Sequence, residues 1–535
     1  MKRRAALALL GLVVTLLALG GVELAARVVI PARPNEAADL EFARWSLALL
    51  DPCMTEVRRG GAPTLRETRA GARQDPSPPG EMPRARTPGV PRIAVVGESS
   101  AFMLGNSLRE VLAQRPCGAR HELLSCGQPG SALEHLERRF DEVLTYRPDA
   151  VVVVFGHNLQ FRFSMDAWRM RLRVARAHSR ALSRLGGAFD DVRNTPPPPL
   201  ATRLDALDRF LLRAGEAARR AGVRLVVMTP GANLWMPPDG DLAITAPDVW
   251  REVNFREAAA GPRAALDALT AAPDRPARAF LQGGMLARAG DHAAADVALR
   301  AAMDGDDHRT RAPSAVAAHI RGAASRAGYT VRDTAAVLVS RAPGGLSGWE
   351  SFSDNCHLSD ARFHDEAIAV LGLALQGTPG ARCAVTPPPA RVDPARHLRD
   401  LVSLAPQGPE TGPSQWFRAL SLMLASRVST DPDLWVPAAR AYAAEVQGDP
   451  AWRLQVRLAL AEGLWRANRR ADAEAVNALA RAGAGPGPAA AWAQRGVFRL
   501  RQGDRAGAAE DFRQAARADP TSAEARWYAA RVARP

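Results

Sequence analysis

The stretch RIAVVGESSAFML, residues 92–104, decides how this chain folds. Its first part, residues 93–96, is short, apolar and rich in valine, which predicts a buried strand rather than a helix. The strand runs directly into Gly-Glu-Ser-Ser at residues 97–100. Serine is a favoured residue at the start of a helix, so this motif could be only a helix cap. Open α/β sheets also place their functional groups at the carboxyl ends of strands, where a serine could act as a nucleophile.

Strands and helices alternate beyond this stretch. The run at 150–155 is continuously apolar, as expected for a strand that is covered on both faces. Helical patterns at 132–145 and 204–221 separate the strands, which predicts a parallel sheet between two layers of helices, a three-layer α/β/α fold. The predicted strands are 92–96, 121–126, 150–155, 223–229 and 329–333.

Composition divides the chain into five segments. The α/β segment carries a helical insertion at about 236–310, in which residues 280–303 predict a helical hairpin that turns at Gly290 and Asp291. The predicted segments are an N-terminal transmembrane signal anchor (1–30), a Pro- and Arg-rich stalk (31–90), the α/β domain (91–376), a linker (377–395) and an all-α repeat domain (396–535).

The N-terminus suggests a membrane segment. Residues 5–22 are uncharged and apolar, and three basic residues precede them. This is just long enough to cross a bilayer as a helix, and the charges favour a cytoplasmic N-terminus. We therefore expect a single-pass inner-membrane protein with its bulk in the periplasm or outside the cytoplasm. The alternative is a cleaved signal peptide and a secreted protein.

The charge and the cysteines exclude several classes of function. The net charge is +14, but Lys2 is the only lysine, so arginine carries the charge as a compositional bias along the whole chain. No window interleaves basic and aromatic residues as nucleic-acid grooves do, so we expect no nucleic-acid partner. The five cysteines and ten histidines show no metal-ligand spacing, and we expect neither a metal nor a cofactor. Cys117 and Cys126 could form a disulfide.

A repeat marks the C-terminal segment. Small and aromatic residues recur after 33 positions and resemble the tetratricopeptide repeat, in which small residues let two antiparallel helices pack closely. An ordinary alanine-rich bundle is the alternative. The resemblance implies a protein or peptide partner. The first set is Gly463, Ala475, Leu479 and Ala482, and the second is Gly496, Ala508, Phe512 and Ala515, with Trp492 before it and Pro520 after it.

Four motif blocks occur in order within residues 91–376. They are the Gly-Glu-Ser-Ser motif, SCGQPGSA with Gly127, VVVVFGHNLQF with Asn158, and SDNCHLSD with Asp354 and His357. Together they resemble the SGNH (GDSL-type) hydrolase superfamily in its membrane-anchored form, whose sheet is flavodoxin-like. The resemblance implies a catalytic triad of Ser99, Asp354 and His357.

The chemistry of these residues agrees with that resemblance. A serine hydroxyl needs a base to take its proton, and His357 could serve while Asp354 orients its ring. A developing oxyanion needs preorganised donors. The resemblance implies the backbone N–H groups of Ser99 and Gly127 and the side-chain amide of Asn158.

Several alternatives stay open at this stage. Ser99 could only cap a helix, and Ser100 could be the nucleophile, although the family register favours Ser99. His357 could be a surface histidine and Asn158 a turn residue. The family often has Asp where this chain has Glu98. An acid commonly follows the asparagine, where this chain has Leu159, and His157 is interpreted as a neighbour in the turn.

The sequence therefore predicts a serine esterase that acts on ester-linked acyl groups, with acylated cell-envelope polysaccharide as a candidate substrate. The same triad would make an O-acyltransferase if a sugar hydroxyl replaced water. A non-catalytic scaffold whose repeats bind protein partners is the third possibility.

Overall fold

The computed structural model shows an α/β part with a parallel sheet, followed by an all-α part, as the sequence predicts. All structural statements below concern the described part of the chain. The described residues are 49–68, 80–113, 121–160, 198–238, 246–306, 311–348, 350–377, 436, 440, 443–444, 450–466, 468–482 and 487–533.

A small antiparallel sheet is the first element among the described residues, and it lies within the segment that the sequence suggested was a stalk. It consists of β1 (Met54–Arg59), β2 (Ala62–Glu67) and β3 (Glu81–Pro83), in that order. Gly60 and Gly61 form the turn between β1 and β2 with φ of 56° and 84°. Positive φ at both turn residues is the geometry that two-residue hairpins need.

The main sheet has five parallel strands in the order β5-β4-β6-β7-β8. Every residue of β4 and β6 is buried, so helices or loops cover both faces of the sheet centre. The predicted strands are confirmed to within two residues at each end. They are β4 (Arg92–Gly97), β5 (Glu122–Gly127), β6 (Ala150–Val154), β7 (Arg224–Met228) and β8 (Thr330–Arg332).

A disulfide and a buried arginine connect the small sheet to the main one. Cys53, next to β1, pairs with Cys126 of β5, and their Cα atoms are 5.4 Å apart. The suggested pairing of Cys126 with Cys117 is therefore wrong, and Cys117 itself lies outside the described residues. Arg92 is fully buried, and it donates from Nε to Glu122 (2.6 Å) and from Nη2 to the carbonyl of Pro83 in β3 (2.8 Å).

Helices flank the main sheet and are the other long elements among the described residues. The predicted hairpin is confirmed: Gly290 adopts a φ of 86°, and Asp291 caps the second helix by accepting from the N–H of Ala294. The first ten helices are α1 (Ser99–Ala113), α2 (Leu133–Leu144), α3 (Leu200–Ala221), α4 (Pro247–Ala260), α5 (Pro262–Leu269), α6 (Pro276–Arg288), α7 (His292–Asp304), α8 (Ser314–Ala327), α9 (Thr334–Arg341) and α10 (Asp360–Leu375).

The C-terminal helices pack as consecutive neighbours, but the repeat has a different register from the predicted one. Leu479 is 36% exposed, and Ala475 and Ala482 are also exposed, so these residues do not form the packed seam of a helix pair. The described helices here are α11 (Pro450–Arg466), α12 (Arg470–Arg481), α13 (Gly487–Arg501), α14 (Arg505–Ala518) and α15 (Ala523–Val532).

A shift of two residues restores the repeat. Ala508, Phe512 and Ala515 are fully buried, and the ring of Phe512 lies directly against Gly496. The buried residues that occupy the same spacing in the preceding helix pair are Ala461, Ala473, Asn477 and Ala480. The first repeat is therefore offset by 35 residues rather than 33, and the assignment of Gly463, Ala475, Leu479 and Ala482 is corrected.

The insertion contains the same spacing, which the sequence analysis missed. Gly283 of α6 lies against the side chain of Leu299 in α7, as Gly496 lies against Phe512. Ala295 and Ala302 of α7 are buried at the positions that Ala508 and Ala515 occupy in α14. The residues that cap the two helices, Asp291 and Asp504, also match in position.

The predicted membrane localisation is corrected. Among the described residues, no helix has the length and apolar character that crossing a bilayer requires. This finding contradicts the expected single-pass inner-membrane protein. Residues 5–22, which carried that expectation, lie outside the described residues.

Contacts divide the chain into two compact units. Unit 1 comprises Met1–Thr229, Ala315–Arg332 and Ala367–Thr386, and it contains both sheets. Unit 2 comprises Pro230–Ser314, Asp333–Glu366 and Pro387–Pro535, and it contains helices α4–α7, α9 and α11–α15.

Candidate functional site

Three of the four motif blocks meet at one edge of the main sheet, in unit 1. Gly97, the last residue of β4, is in register with Gly127 of β5 on one side and with Val154 of β6 on the other. Parallel strands present their carboxyl ends at the same edge, so the residues that follow β4 and β6 emerge beside Gly127. This edge is where open α/β sheets hold their ligands.

Ser99 begins helix α1 immediately after β4. The carbonyl of Glu98 accepts the N–H groups of Ala101 (3.0 Å) and Phe102 (3.1 Å), which closes the first turn of the helix. Ser99 is half-buried, whereas Ser100 is buried, and within the described chain the Ser100 hydroxyl has no hydrogen-bond partner. The positive end of the helix dipole favours negative charge at this position.

Glu98 fixes the loop that carries Asn158. Its side chain is fully buried, and its two carboxylate oxygens accept the N–H groups of His157 (2.9 Å) and Asn158 (2.8 Å). Arg203 of α3 supports the same loop, because its Nε donates to the carbonyl of Leu159 at 2.7 Å. This role of Glu98 was not predicted from the sequence. The sequence feature that could have indicated it is an acidic residue at the end of one strand, with a turn at the end of the neighbouring strand.

The Asn158 side chain keeps an unused donor. The residue is 8% exposed, and its Nδ2 has no hydrogen-bond partner among the described residues. A buried donor without an acceptor costs about 1–3 kcal/mol, so native proteins rarely keep one without a function. An amide donor held ready for an acceptor is what an oxyanion hole requires.

Both strand-end glycines are required by close backbone contacts. Gly97 has a φ of 146°, and a Cβ there would collide with the carbonyl oxygen of Val154. A Cβ on Gly127 would collide with the backbone of Ala101 and Phe102 in α1. The absence of a side chain at Gly127 therefore lets β5 pack against the first turn of α1.

The fourth block forms a hydrogen-bonded loop in unit 2. Asp354 Oδ2 lies 2.6 Å from His357 Nδ1, and Asp354 Oδ1 accepts the N–H groups of Cys356 (2.8 Å) and His357 (2.7 Å). The buried side chain of Asn233 donates to the carbonyl of Asp354 at 3.0 Å. A pairing between Phe352 and Leu358 closes the loop at its base.

These contacts keep the Asp354 carboxyl ionised. Burial alone would raise the pKa of the Asp354 carboxyl, but hydrogen bonds from the His357 ring and from two backbone N–H groups lower its pKa below the usual value. The carboxylate therefore stays ionised at neutral pH and holds Nδ1 of His357. Nε2 is then the ring nitrogen that can exchange a proton with a reacting group.

The predicted site residues fall into two groups, one in each unit. Unit 1 brings together Ser99, Gly127 and Asn158, and unit 2 brings together Asp354 and His357. The triad as a whole stays a prediction.

Comparisons with known proteins give little further information. No protein-family model and no curated protein sequence matches the chain. Among solved structures, a gut microbial diltiazem-metabolizing enzyme matches at 10% identity and a TM-score of 0.28, over 54% of this chain and 48% of that one. The chain therefore spans about half the length of that structure. Because the TM-score is low, we base no argument on this similarity.

Proposed function

We propose that the protein is a serine hydrolase of the SGNH type that cleaves carboxylic esters. The observation that carries the proposal is the hydrogen bond between Asp354 and His357, in which a carboxylate supported by two backbone N–H groups orients the ring. An Asp–His pair of this kind is the base and orienting group of nucleophilic serine catalysis.

In the proposed reaction, His357 Nε2 takes the proton of Ser99 as Oγ attacks the ester carbonyl. The proton then passes to the leaving alcohol, which departs and leaves an acyl group on Ser99. Water attacks this acyl-enzyme with His357 again as the base, which releases the acid and restores the serine. The position of Ser99 at the first turn of α1 favours the negative charge that develops during each attack.

Asn158 would bind the oxyanion. Its buried Nδ2 donor has no acceptor among the described residues, and Glu98 fixes the backbone that carries it. The backbone N–H groups of Ser99 and Gly127 would complete the oxyanion hole, since both residues lie at the same edge of the sheet.

A fluorophosphonate, which labels activated serines covalently, tests the proposal on the full-length chain. We expect labelling of the wild type and of Ser100→Ala, and no labelling of Ser99→Ala. Loss of labelling in Ser100→Ala alone would transfer the role to the neighbouring serine. A folded wild type that is never labelled would contradict the hydrolase proposal and favour a non-catalytic scaffold.

The same enzyme preparation distinguishes hydrolysis from acyl transfer. With a p-nitrophenyl ester as the donor, we expect release of free acid at the same rate with and without added sugar. Acylated sugar formed in preference to free acid would instead identify an O-acyltransferase.

A further inference from the structure

Three different metal-ligating side chains meet in the loop at residues 354–357. The carboxylate of Asp354, the thiol of Cys356 and the imidazole of His357 each offer one donor atom, and these atoms all lie within 4.8 Å of one another. Cys356 is 8% exposed, whereas the side chains of Asp354 and His357 are partly exposed, so an ion can reach the cluster from solvent. The sequence analysis expected no metal because adjacent ligands on one tight loop do not match the usual spacing patterns.

The distances match a tetrahedral site for a thiolate-binding ion. Zinc–ligand bonds of about 2.0–2.3 Å imply separations of about 3.6 Å between nitrogen and sulfur and about 3.4 Å between nitrogen and oxygen. Cys356 Sγ lies 3.7 Å from His357 Nδ1, which already fits. His357 Nδ1 and Asp354 Oδ2 are 2.6 Å apart and would separate by about 0.8 Å as the ion replaces the shared proton.

The geometry points to an inhibitory site for Zn²⁺, or an ion of the same class, with Asp354, Cys356 and His357 as ligands. Thiolate and imidazole select this class over Mg²⁺ and Ca²⁺, which take oxygen ligands. Binding releases the thiol proton of Cys356 to solvent, and the proton that His357 carries on Nδ1 moves to Nε2, so that the ring coordinates as a neutral imidazole. Three protein ligands leave the fourth position to water.

The inhibitory consequence rests on the function proposed above, whereas binding itself does not. His357 Nδ1 cannot donate to Asp354 and coordinate a metal at the same time. An ion that occupies this nitrogen also takes the carboxylate that orients the ring. Metal-bound and catalytically competent forms of the loop are therefore mutually exclusive.

Co²⁺ is the probe for binding, because a thiolate ligand gives it a strong near-ultraviolet charge-transfer absorption. We expect this absorption when Co²⁺ is added to the full-length chain in which Cys117 and Cys383 are replaced by serine, and its loss when Zn²⁺ is added. Ser99→Ala in the same background should give the same spectrum. Cys356→Ser and His357→Gln should each weaken Co²⁺ binding by at least tenfold.

Esterase activity of each variant is then compared with and without Zn²⁺. We expect Zn²⁺ to inhibit the parent, and the ratio of activities to approach one in Cys356→Ser. Absence of the Co²⁺ absorption in the folded parent, or its persistence in Cys356→Ser, would overturn the site. Binding without inhibition of an active parent would overturn the inhibitory role, and an inactive parent that still binds Co²⁺ would refute only the proposed function.

Discussion

Glu98 and Asn158 have different roles at the end of β6: Glu98 holds the backbone, and the Asn158 side chain provides the donor. Glu98 accepts the backbone N–H of Asn158 and of its neighbour, while the Asn158 side chain keeps a buried donor with no partner among the described residues. In the proposed enzyme, Asn158 would touch the reacting oxygen, and Glu98 would act only through Asn158. Glu98 is thus a positioning residue.

This division of roles predicts a non-additive pair of substitutions. Asn158→Ala should lower kcat for a p-nitrophenyl ester by roughly 10²–10³-fold with little change in KM, because the donor acts in the transition state. Glu98→Gln should lower kcat by less, since one oxygen can still accept one of the two N–H groups. In the Asn158→Ala background, Glu98→Gln should lower kcat no further, because it acts through the missing amide.

Steady-state kinetics of the four proteins in this cycle check the prediction, with thermal unfolding as the control for folding. If Glu98→Gln lowered kcat by the same factor in the wild type and in the Asn158→Ala background, Glu98 would act on stability or by another route. A near-normal kcat for folded Asn158→Ala would contradict the oxyanion assignment and leave the triad untouched.

His135 makes the stability of the α/β part depend on pH. The residue is 4% exposed at the start of α2, and its Nδ1 accepts the N–H of Ala132 at 3.2 Å. Burial lowers its pKa from 6.5 to about 4, so the folded protein holds the ring neutral. Above pH 6.5 the ring is neutral in both the folded and the unfolded chain, so it does not change the free energy of unfolding. As the pH falls from 6.5 toward 4, the unfolded chain binds a proton that the folded chain does not, and the free energy of unfolding decreases.

Urea unfolding at pH 7 and pH 5 measures this loss. For this one group, the expected fall in the free energy of unfolding is about 2 kcal/mol between the two values, from the difference in proton binding. His135→Gln, whose amide oxygen can accept the same N–H, should remove that part of the fall. An unchanged pH dependence in His135→Gln would show that other groups cause it.

At the scale of elements, the strands of the main sheet were predictable because both faces are buried. Burial on both faces requires an uninterrupted apolar run such as residues 150–154, which has no competing interpretation. The small sheet was not predictable in the same way. Its strands are mostly exposed and carry charged residues, so the pattern lacks apolar alternation and only Gly60–Gly61 marks the hairpin.

The repeat register failed for a related physical reason. In an alanine-rich helix, many offsets match small residues equally well, so the pattern alone could not fix which face is buried. The deciding residue is Asn477, which occupies the position of Phe512 but is polar. Its Nδ2 donates to the carbonyl of Ala491 at 3.0 Å, and its Oδ1 accepts from Arg481 at 2.9 Å. The sequence alone does not distinguish an asparagine that is buried and hydrogen-bonded from one on the surface, because the residue type is the same.

The contact between β5 and α1 predicts the effect of filling Gly127. In Gly127→Ala, the new methyl group would press on the backbone of Ala101 and Phe102 and displace the first turn of α1, which carries Ser99. We expect a loss of stability of about 1–3 kcal/mol, as for overpacking elsewhere, together with a fall in the rate of fluorophosphonate labelling.

Gly322→Ala is the matched control. Gly322 lies in α8 with no neighbouring atom within 4 Å of the added methyl group. This substitution should raise stability by up to about 1 kcal/mol, since alanine is the better helix former. Equal effects of the two substitutions on labelling would contradict the proposed link between Gly127 and the serine.

At the scale of the whole molecule, the insertion and the C-terminal helices belong to one unit. Phe255 of α4 packs edge to face against Trp527 of α15, with ring centroids 6.1 Å apart. Arg531 lies over the Phe255 ring at 4.8 Å and pairs with Glu252 at 3.1 Å, across 279 residues of sequence. Segments that are distant in the chain therefore share a core.

This shared core predicts coupled loss of structure. Phe255 is 4% exposed, and Phe255→Ala should cost about 3–5 kcal/mol, the usual range for a buried phenylalanine. Hydrogen exchange should accelerate in α13 and α15 as well as in α4. Val297→Ala, at a 70% exposed position of α7, is the control and should leave exchange unchanged. Acceleration confined to α4 would show that the two segments unfold independently.

The division of the chain into interleaved units also bears on how the protein is made. The fourth strand of the main sheet ends at Met228, and its neighbour β8 begins at Thr330, about 100 residues later. At about 5–20 residues per second, a ribosome needs roughly 5–20 s to deliver that last strand. During this interval β7, a hydrophobic strand, is an unpaired edge that invites association with other chains. Slower elongation lengthens the interval, so the yield of folded protein depends on the speed of synthesis across these 100 or so codons.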